Sequence, residues 1–403
     1  MQPVPTQVAA LFAGIGGIES GLHRAGVETR LLCEIDPGAC AVLEERFVGV
    51  RLARDVRELK PALLRGIDLL TAGFPCQDLS QAGLTKGMGG EQSSLVRHVF
   101  RLLEGRKVPW VLLENVPFML HLGQGHALEA VIEAFERLGY NWAYRVIDSR
   151  AFGLPQRRER VYILAARKDD PRTVLFAGNE TADPTLPPLS RRAHGFYWTE
   201  GSRGLGWAVD AVPTLKGGSG FGIASPPAIW LPDGRIVQPD IRDAERMQGF
   251  DADWTVPALQ VTRPGHRWKL VGNAVTVNVA EWIGRQFRAR AGRTDLSAKH
   301  VEPGKSWPRV AWNVGEGRRT TSELGSWPVR LPGVPLAKFL HHPGQLLSER
   351  ATRGFLGRFV KSSLTKPEGF VEALEAHLEV VSAAPEDGEA HSGGRRRGRR
   401  AAA

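Results

Sequence analysis

The sequence of 403 residues predicts an α/β fold: a doubly wound, mostly parallel sheet with a smaller, loop-rich second domain. Three observations carry this. Short apolar runs alternate with longer amphipathic stretches up to about residue 175, the pattern of strands joined by crossover helices. The ends of those runs collect glycine, cysteine and acidic residues, where ligands of such sheets bind. Between about residues 176 and 266 the periodicity gives way to Gly, Pro and Trp.

The first strand is read in VAALFAG, 8–14, and the helix after it in GIESGLHRAG, 17–26. Further strands are read in TRLLCEI, DLLTAG, WVLLENV and VYILAA, with a helix in ALEAVIEAFERLG, 127–139. RWKLVGNAVTVNVAEWIGRQFRARAG, 267–292, is read as returning to one amphipathic helix, begun by Asn273, with Val275, Val279, Trp282, Ile283 and Phe287 on its apolar face, that rejoins the first domain. The expected organisation is a first α/β domain over 1–175, a loop-rich second domain over 176–266, the returning helix over 267–290, an extension over 291–380 and a disordered basic tail over 381–403. The extension, with Trp307, Trp312 and Trp327, is read as a small core packed on the first domain, with added DNA contact as the alternative.

Lys and Arg exceed Asp and Glu for a net charge of +10, which favours a polyanionic partner. The N-terminus has no signal pattern and no apolar run reaches the roughly 20 residues of a membrane span, so a cytoplasmic protein is expected. Cys33, Cys40 and Cys76 form neither a disulfide framework nor a metal-binding spacing, which leaves packing or chemistry.

LFAGIGGIESG departs from the dinucleotide fingerprint because Glu19 stands where the third glycine would, so a cofactor without a pyrophosphate is expected. Glu34, at the end of the second strand, suits two ribose hydroxyls. Asp55 suits an adenine amino group, with Phe12 and Ile35 as apolar walls. S-adenosylmethionine is the commonest nucleoside cofactor of that kind. In GFPCQDLS, 73–80, Pro75 stiffens the strand exit and presents Cys76 where a thiolate nucleophile could act.

Six motifs in order, LFAGIGG, GFPCQDLS, LLENV, GLPQRRERVYILA, RDAERMQGF and VGNAVTVNVA, resemble the series of the cytosine-C5 DNA methyltransferases over about residues 8–287. The resemblance implies S-adenosylmethionine as cofactor and double-stranded DNA as partner. It further implies a flipped cytosine attacked at carbon 6 by Cys76, a protonated Glu114 at the ring's third nitrogen, and Arg158 and Arg160 holding base, phosphate and loop. Arg157 and Glu159 point the other way and are structural on this reading. The implied cofactor set is Phe12, Ala13, Gly14, Gly16, Gly17, Glu34, Ile35, Asp55, Val56, Pro75, Leu95, Asn273, Ala274 and Val275, with no metal. Gln92 departs from the arginine often found three residues before the leucine. Arg242 and Glu245 are read as scaffold, and 81–94 as a loop closing over the nucleotide. A separate restriction endonuclease and action as a monomer are expected. The competing readings are an RNA methyltransferase of the same fold and a base-flipping regulator without catalysis.

Overall fold

The computed structural model describes residues 4–75, 95–181, 191–218, 224–302 and 306–383. Cys76, the loop 81–94 and the tail from 384 lie outside them. Strands β1 (Gln7–Leu11), β2 (Glu28–Cys33), β3 (Arg51–Ala53), β4 (Leu69–Gly73) and β5 (Trp110–Asn115) form a parallel block in the order β3-β2-β1-β4-β5. Parallel strands covered on both faces need unbroken apolar runs. WVLLEN of β5 is accordingly buried at every position.

Helices α1 (Gly17–Arg24), α2 (Pro37–Arg46), α3 (Val96–Gly105) and α4 (His126–Arg137) cover the sheet. Asp36 caps α2 by accepting from the N–H groups of Gly38 and Ala39, with Pro37 in the first turn. α1 packs backbone-close on a late helix, Val277–Ala289. A Cβ on its Gly21 would lie 2.4 Å from the Val277 carbonyl oxygen and 2.6 Å from the Ala280 Cβ.

Beyond β5 the sheet turns antiparallel, within the mostly parallel sheet expected, and VYILAA forms one of these strands. β6 (Asn141–Asp148) and β8 (Glu159–Ala166) pair antiparallel, and β8 pairs antiparallel with β5; the short β7 (Gln156–Arg157) lies outside this sheet. β6 carries no apolar run because it buries two charges. Arg145 is 0% exposed, and its guanidinium donates to the carbonyls of Ala177, Gly178 and Gly325 at 3.0, 2.9 and 2.8 Å. Asp148 is equally buried and caps the turn after it.

The expected single late helix is two. His266–Asn273 ends at Asn273 rather than beginning there, and the chain runs extended through Ala274 and Thr276 before Val277–Ala289. The extension forms no small core of its own on the first domain but is shared between two sheets. β14 (Lys299–His300), β15 (Val310–Asn313) and β16 (Arg319–Thr320) lengthen the first sheet beyond β6.

The second sheet is antiparallel throughout. It takes β9 (His194–Phe196), β10 (Ala208–Val209), β12 (Ala228–Trp230) and β13 (Ile236–Gln238) from the expected second domain, and β17 (Gln345–Leu346) from the extension. The short β11 (Val212–Pro213) pairs with β7 of the first domain. The C-terminal helices Glu349–Lys361 and Phe370–Ala383 complete the second core, where Phe370 lies 4.9 Å from Phe196 and 4.8 Å from Trp207 between ring centres. Among the described residues no helix is long and apolar enough to cross a membrane.

His194 is 2% exposed between Trp207 and Trp230, and neither ring nitrogen has a hydrogen-bond partner among the described residues. Burial holds its pKa below the ordinary value, with Arg192 adding to the effect. The unfolded chain therefore binds a proton near pH 6.5 that the folded chain refuses, so stability falls as pH drops below about 6.5. Urea unfolding at pH 7 and pH 5 is expected to show this loss, and His194→Phe to reduce it.

Candidate active site

Both halves of the site lie at the carboxyl ends of the parallel strands. At β1 the chain turns through Phe12 and Gly14, both at a φ of 55°, and Gly16, at 82°. Glu34 holds this turn. Its Oε2 accepts from the Gly14 N–H at 2.8 Å, and its Oε1 accepts from Ile35 and Asp36, each at 2.8 Å. A Cβ on Gly14 would meet nothing within 4 Å, whereas one on Gly17 would lie 2.2 Å from the Val275 carbonyl oxygen. Gly14 thus faces open space, and Gly17 is small for packing.

Phe12, Ala13 and Gly14 are partly exposed, and Ile35 is 65% exposed although its neighbours on β2 are buried. Val56 is buried; Leu95 is partly buried and, like Phe12, packs on the first core. Asp55 is not a free acceptor, because Arg57 grips both its oxygens, at 2.8 and 2.9 Å through Nε and 2.5 Å through Nη2. This pairing holds the Asp55 carboxyl below its usual pKa.

The reactive half is built on β4, β5 and β8. Gly73 sits beside Glu114 in the β4/β5 register, and a Cβ on Gly73 would lie 3.3 Å from Glu114 Oε2 and 3.7 Å from Val275 Cγ2. Val275 therefore touches both halves, through Gly17 and through Gly73. Glu114 is 7% exposed, and burial raises its pKa against the opposing pull of Arg160 and Arg158. That direction agrees with the expected protonated acid. Arg160 Nε lies 3.0 Å from Glu114 Oε1.

Arg158 does not reach open space. It is 1% exposed, and its guanidinium donates to the carbonyls of Leu215 and Gly272 at 3.2 Å and of Ala274 at 2.6 Å. Burial pulls its pKa down to about 9. Arg158 thus acts as a positioning residue, joining β8 to the second domain and the helix junction. The Ala274 carbonyl faces Arg158, and its N–H donates to Val271, so its backbone is not open to a cofactor. Asn273 is exposed and lies against Gly217 of the second domain. Arg157 donates to the Trp207 carbonyl at 2.9 Å, and Glu159 pairs with Arg309 at 2.6 Å. Glu245 is fully buried on Thr255 and Arg267, while Arg242 pairs with Asp240.

Cys76 lies outside the described residues, and the chain is described up to Pro75, which is exposed. Cys33 and Cys40 are buried, and desolvation pushes both thiols up, Cys33 to about 12. Neither is a thiolate near neutral pH.

Several residues went unread in the sequence. Asn115 donates from Nδ2 to the Phe74 carbonyl at 3.0 Å, fixing the chain two residues before Cys76. Its place in the ENV motif was the available signal. Gln156 and Gln248 are fully buried and bonded to each other at 3.2 Å, and Thr276 donates to Gln248 at 3.2 Å. Trp254 donates to the Ile15 carbonyl at 2.9 Å, steadying the glycine turn from the far side. Glu19, the residue that broke the glycine pattern, is buried and accepts from Thr71 at 2.9 Å, and desolvation raises its pKa to about 7.

A glycine turn held by an acid just past β2, beside a buried Glu–Arg pair at the end of β5 and the start of β8, gathers the polar groups of an α/β enzyme at its strand ends. The comparisons give the family. Residues 6–195 match the family described as C-5 cytosine-specific DNA methylase. The chain is 44% identical over 384 residues to "Type II methyltransferase M2.BsuMI" of Bacillus subtilis (strain 168), covering 92% of this chain and 97% of that one. It is 30% identical over 313 residues to "Type II methyltransferase M.Bsp6I" of Bacillus sp. (strain RFL6), covering 70% and 98%. Among solved structures, the S. pombe Dnmt2 methyltransferase aligns at a TM-score of 0.50 and 17% identity over 69% of this chain and 96% of that one. The Entamoeba histolytica methyltransferase EhMeth aligns at 0.51 and 13%, over 72% and 99%. The chain belongs to the C-5 cytosine-specific DNA methylases and is a methyltransferase.

Arg158→Lys keeps the charge but cannot serve three carbonyls in a plane. It is expected to lower unfolding stability by about 2–4 kcal/mol, measured by urea denaturation.

Proposed function

We propose that this protein transfers a methyl group from S-adenosylmethionine to carbon 5 of cytosine in one short duplex DNA sequence, protecting that sequence from a partner restriction nuclease. The supporting observation is the Glu114–Arg160 pair, buried at the strand ends beside the segment that leads to Cys76. When bound, the cofactor supplies an electrophilic methyl group. The cradle suits a nucleoside: Gly14 opens onto free space, Ile35 leaves an apolar surface uncovered, and Glu34 Oε2 carries one hydrogen bond and keeps a lone pair for a ribose hydroxyl. Asp55, engaged by Arg57, would offer an adenine amino group what acceptor capacity remains.

Carbon 5 of cytosine is a weak nucleophile. Addition of the Cys76 thiolate to carbon 6 moves an electron pair towards carbon 5 and the third ring nitrogen. The neutral carboxyl of Glu114 donates to that nitrogen, which needs its pKa to be raised as burial raises it. Arg160 orients Glu114 and neutralises it once the proton is given up. After methylation carbon 5 gives its proton to water, the electron pair left behind expels the thiolate from carbon 6, and the ring nitrogen returns its proton to Glu114 as the aromatic ring is restored. The ring is unreachable inside a duplex, so the nucleotide must first be extruded, at about a few kcal/mol of stacking and pairing.

Bisulfite sequencing of a plasmid from a methylation-free host expressing this chain is expected to show protected cytosines in one short motif, with none when Cys76→Ala is expressed. Equal protection by both would refute the assigned nucleophile. Glu34→Ala is expected to weaken S-adenosylmethionine binding at least tenfold by calorimetry while leaving duplex affinity within a factor of about 2, in keeping with the loss of a ribose contact and a turn anchor.

A further inference from the structure

The helix Glu349–Lys361 lies outside the motif series and turns an apolar face inward, with Thr352, Phe355 and Phe359 each at 0% exposure. At about 100° per residue, Arg350, Arg353, Gly354, Gly357, Arg358 and Lys361 fall in a single arc of about 140° on the opposite side. All six are exposed. Glycine is the poorest helix former after proline, and two on one exposed face leave a bare strip of backbone between four cations. A Cβ on Gly357 would meet nothing within 4 Å, so no packing inside the protein explains its size.

The cations are not consumed by acids. Arg353 pairs with Glu349 at 2.5 Å, but Arg350 and Lys361 have no ion-pair partner among the described residues, although Glu372, Glu375 and Glu379 are exposed on the next helix. Arg358 anchors the helix to the second domain, donating to the carbonyls of Trp198 at 2.9 Å and Glu200 at 3.1 Å. The Glu200 side chain in turn holds Lys216, and the adjoining Gly217 abuts Asn273. A short chain of contacts thus links this basic face to the helix junction beside the active site.

We propose that this face docks the phosphate backbone of duplex DNA lying outside the methylated sequence, an inference that rests on the DNA-methylating reading above. A bare strip flanked by cations lets a polyanion approach closely, and phosphate contacts position a duplex without reading its bases. The B. subtilis relative, which aligns with 92% of this chain, must share most of the segment after residue 291; the Bsp6I relative, at 70%, need not.

The test uses the full chain and two duplexes carrying the methylated motif, one of about 12 base pairs and one of about 30, titrated over a range of salt. For Arg350→Ala/Lys361→Ala, affinity for the long duplex is expected to fall about tenfold and the slope of log K against log salt to shrink by about 2, with methylation of the short duplex unchanged. Gly357→Gln removes no charge, and its side chain has room, yet it is expected to weaken the long duplex alone. Unchanged long-duplex affinity and slope in the double variant, with wild-type methylation intact, overturns the docking face. Equal losses on both lengths overturn it too. A wild type that methylates neither duplex sinks the DNA reading and this inference with it.

Discussion

The arrangement depends on one guanidinium group taken out of water. Arg158 is held by the carbonyls of Leu215, Gly272 and Ala274, which belong to the second domain and to the junction of two late helices. A buried charge whose hydrogen bonds all go to neutral carbonyls is costly unless its N–H groups are aimed at acceptors, and the nearby Glu114 carboxyl offsets part of the repulsion from Arg160. The three segments are therefore held where those dipoles converge, and Nε has no hydrogen-bond partner among the described residues. The Gln156–Gln248–Thr276 bonds run beside it, so the neighbourhood forms a connected polar network and not a single bond.

That network explains why two distant motifs meet. Val275 follows the carbonyl that Arg158 grips, and from there it touches Gly17 of the cofactor turn and Gly73 beside Glu114. Arg160, two residues further along on β8, faces Glu114 directly. One extended segment thus supplies both the residue that places the backbone and the residue that tunes the acid.

The parallel strands were legible because burial on both faces writes itself as apolar runs, and Glu34 and Glu114 lie where those runs and motifs locate them, whereas Val275 lies in the extended break and not on a helix face. Arg158 was assigned to the base and phosphate because a sequence shows a cation but not the carbonyls it faces; backbone acceptors leave no residue signature. β6 was missed for a related reason, since Arg145 and Asp148 read as solvent-facing and are buried. The helix break after Asn273 was hidden by an apolar periodicity that continues across it while Ala274 and Thr276 adopt extended backbone. In Asp55, the acid was visible and its competitor Arg57, two residues away, was not weighed.

The second sheet has a consequence for the order in which the chain acquires structure. Four of its five strands are drawn from residues 194–238, yet β17 and the core residues Phe355, Phe359, Phe370 and Leu374 come from the far end of the chain. During synthesis the parallel strands and β8 leave the ribosome early and close over local crossovers. The second sheet must wait, apolar face uncovered, for about 140 further residues to be made, some 7–30 seconds at ordinary elongation rates. A nascent chain can therefore hold its parallel strands, and once Trp254 and Val275 are made its glycine turn, before this half is finished, and in that interval its aromatic strands are the surface most in need of a chaperone.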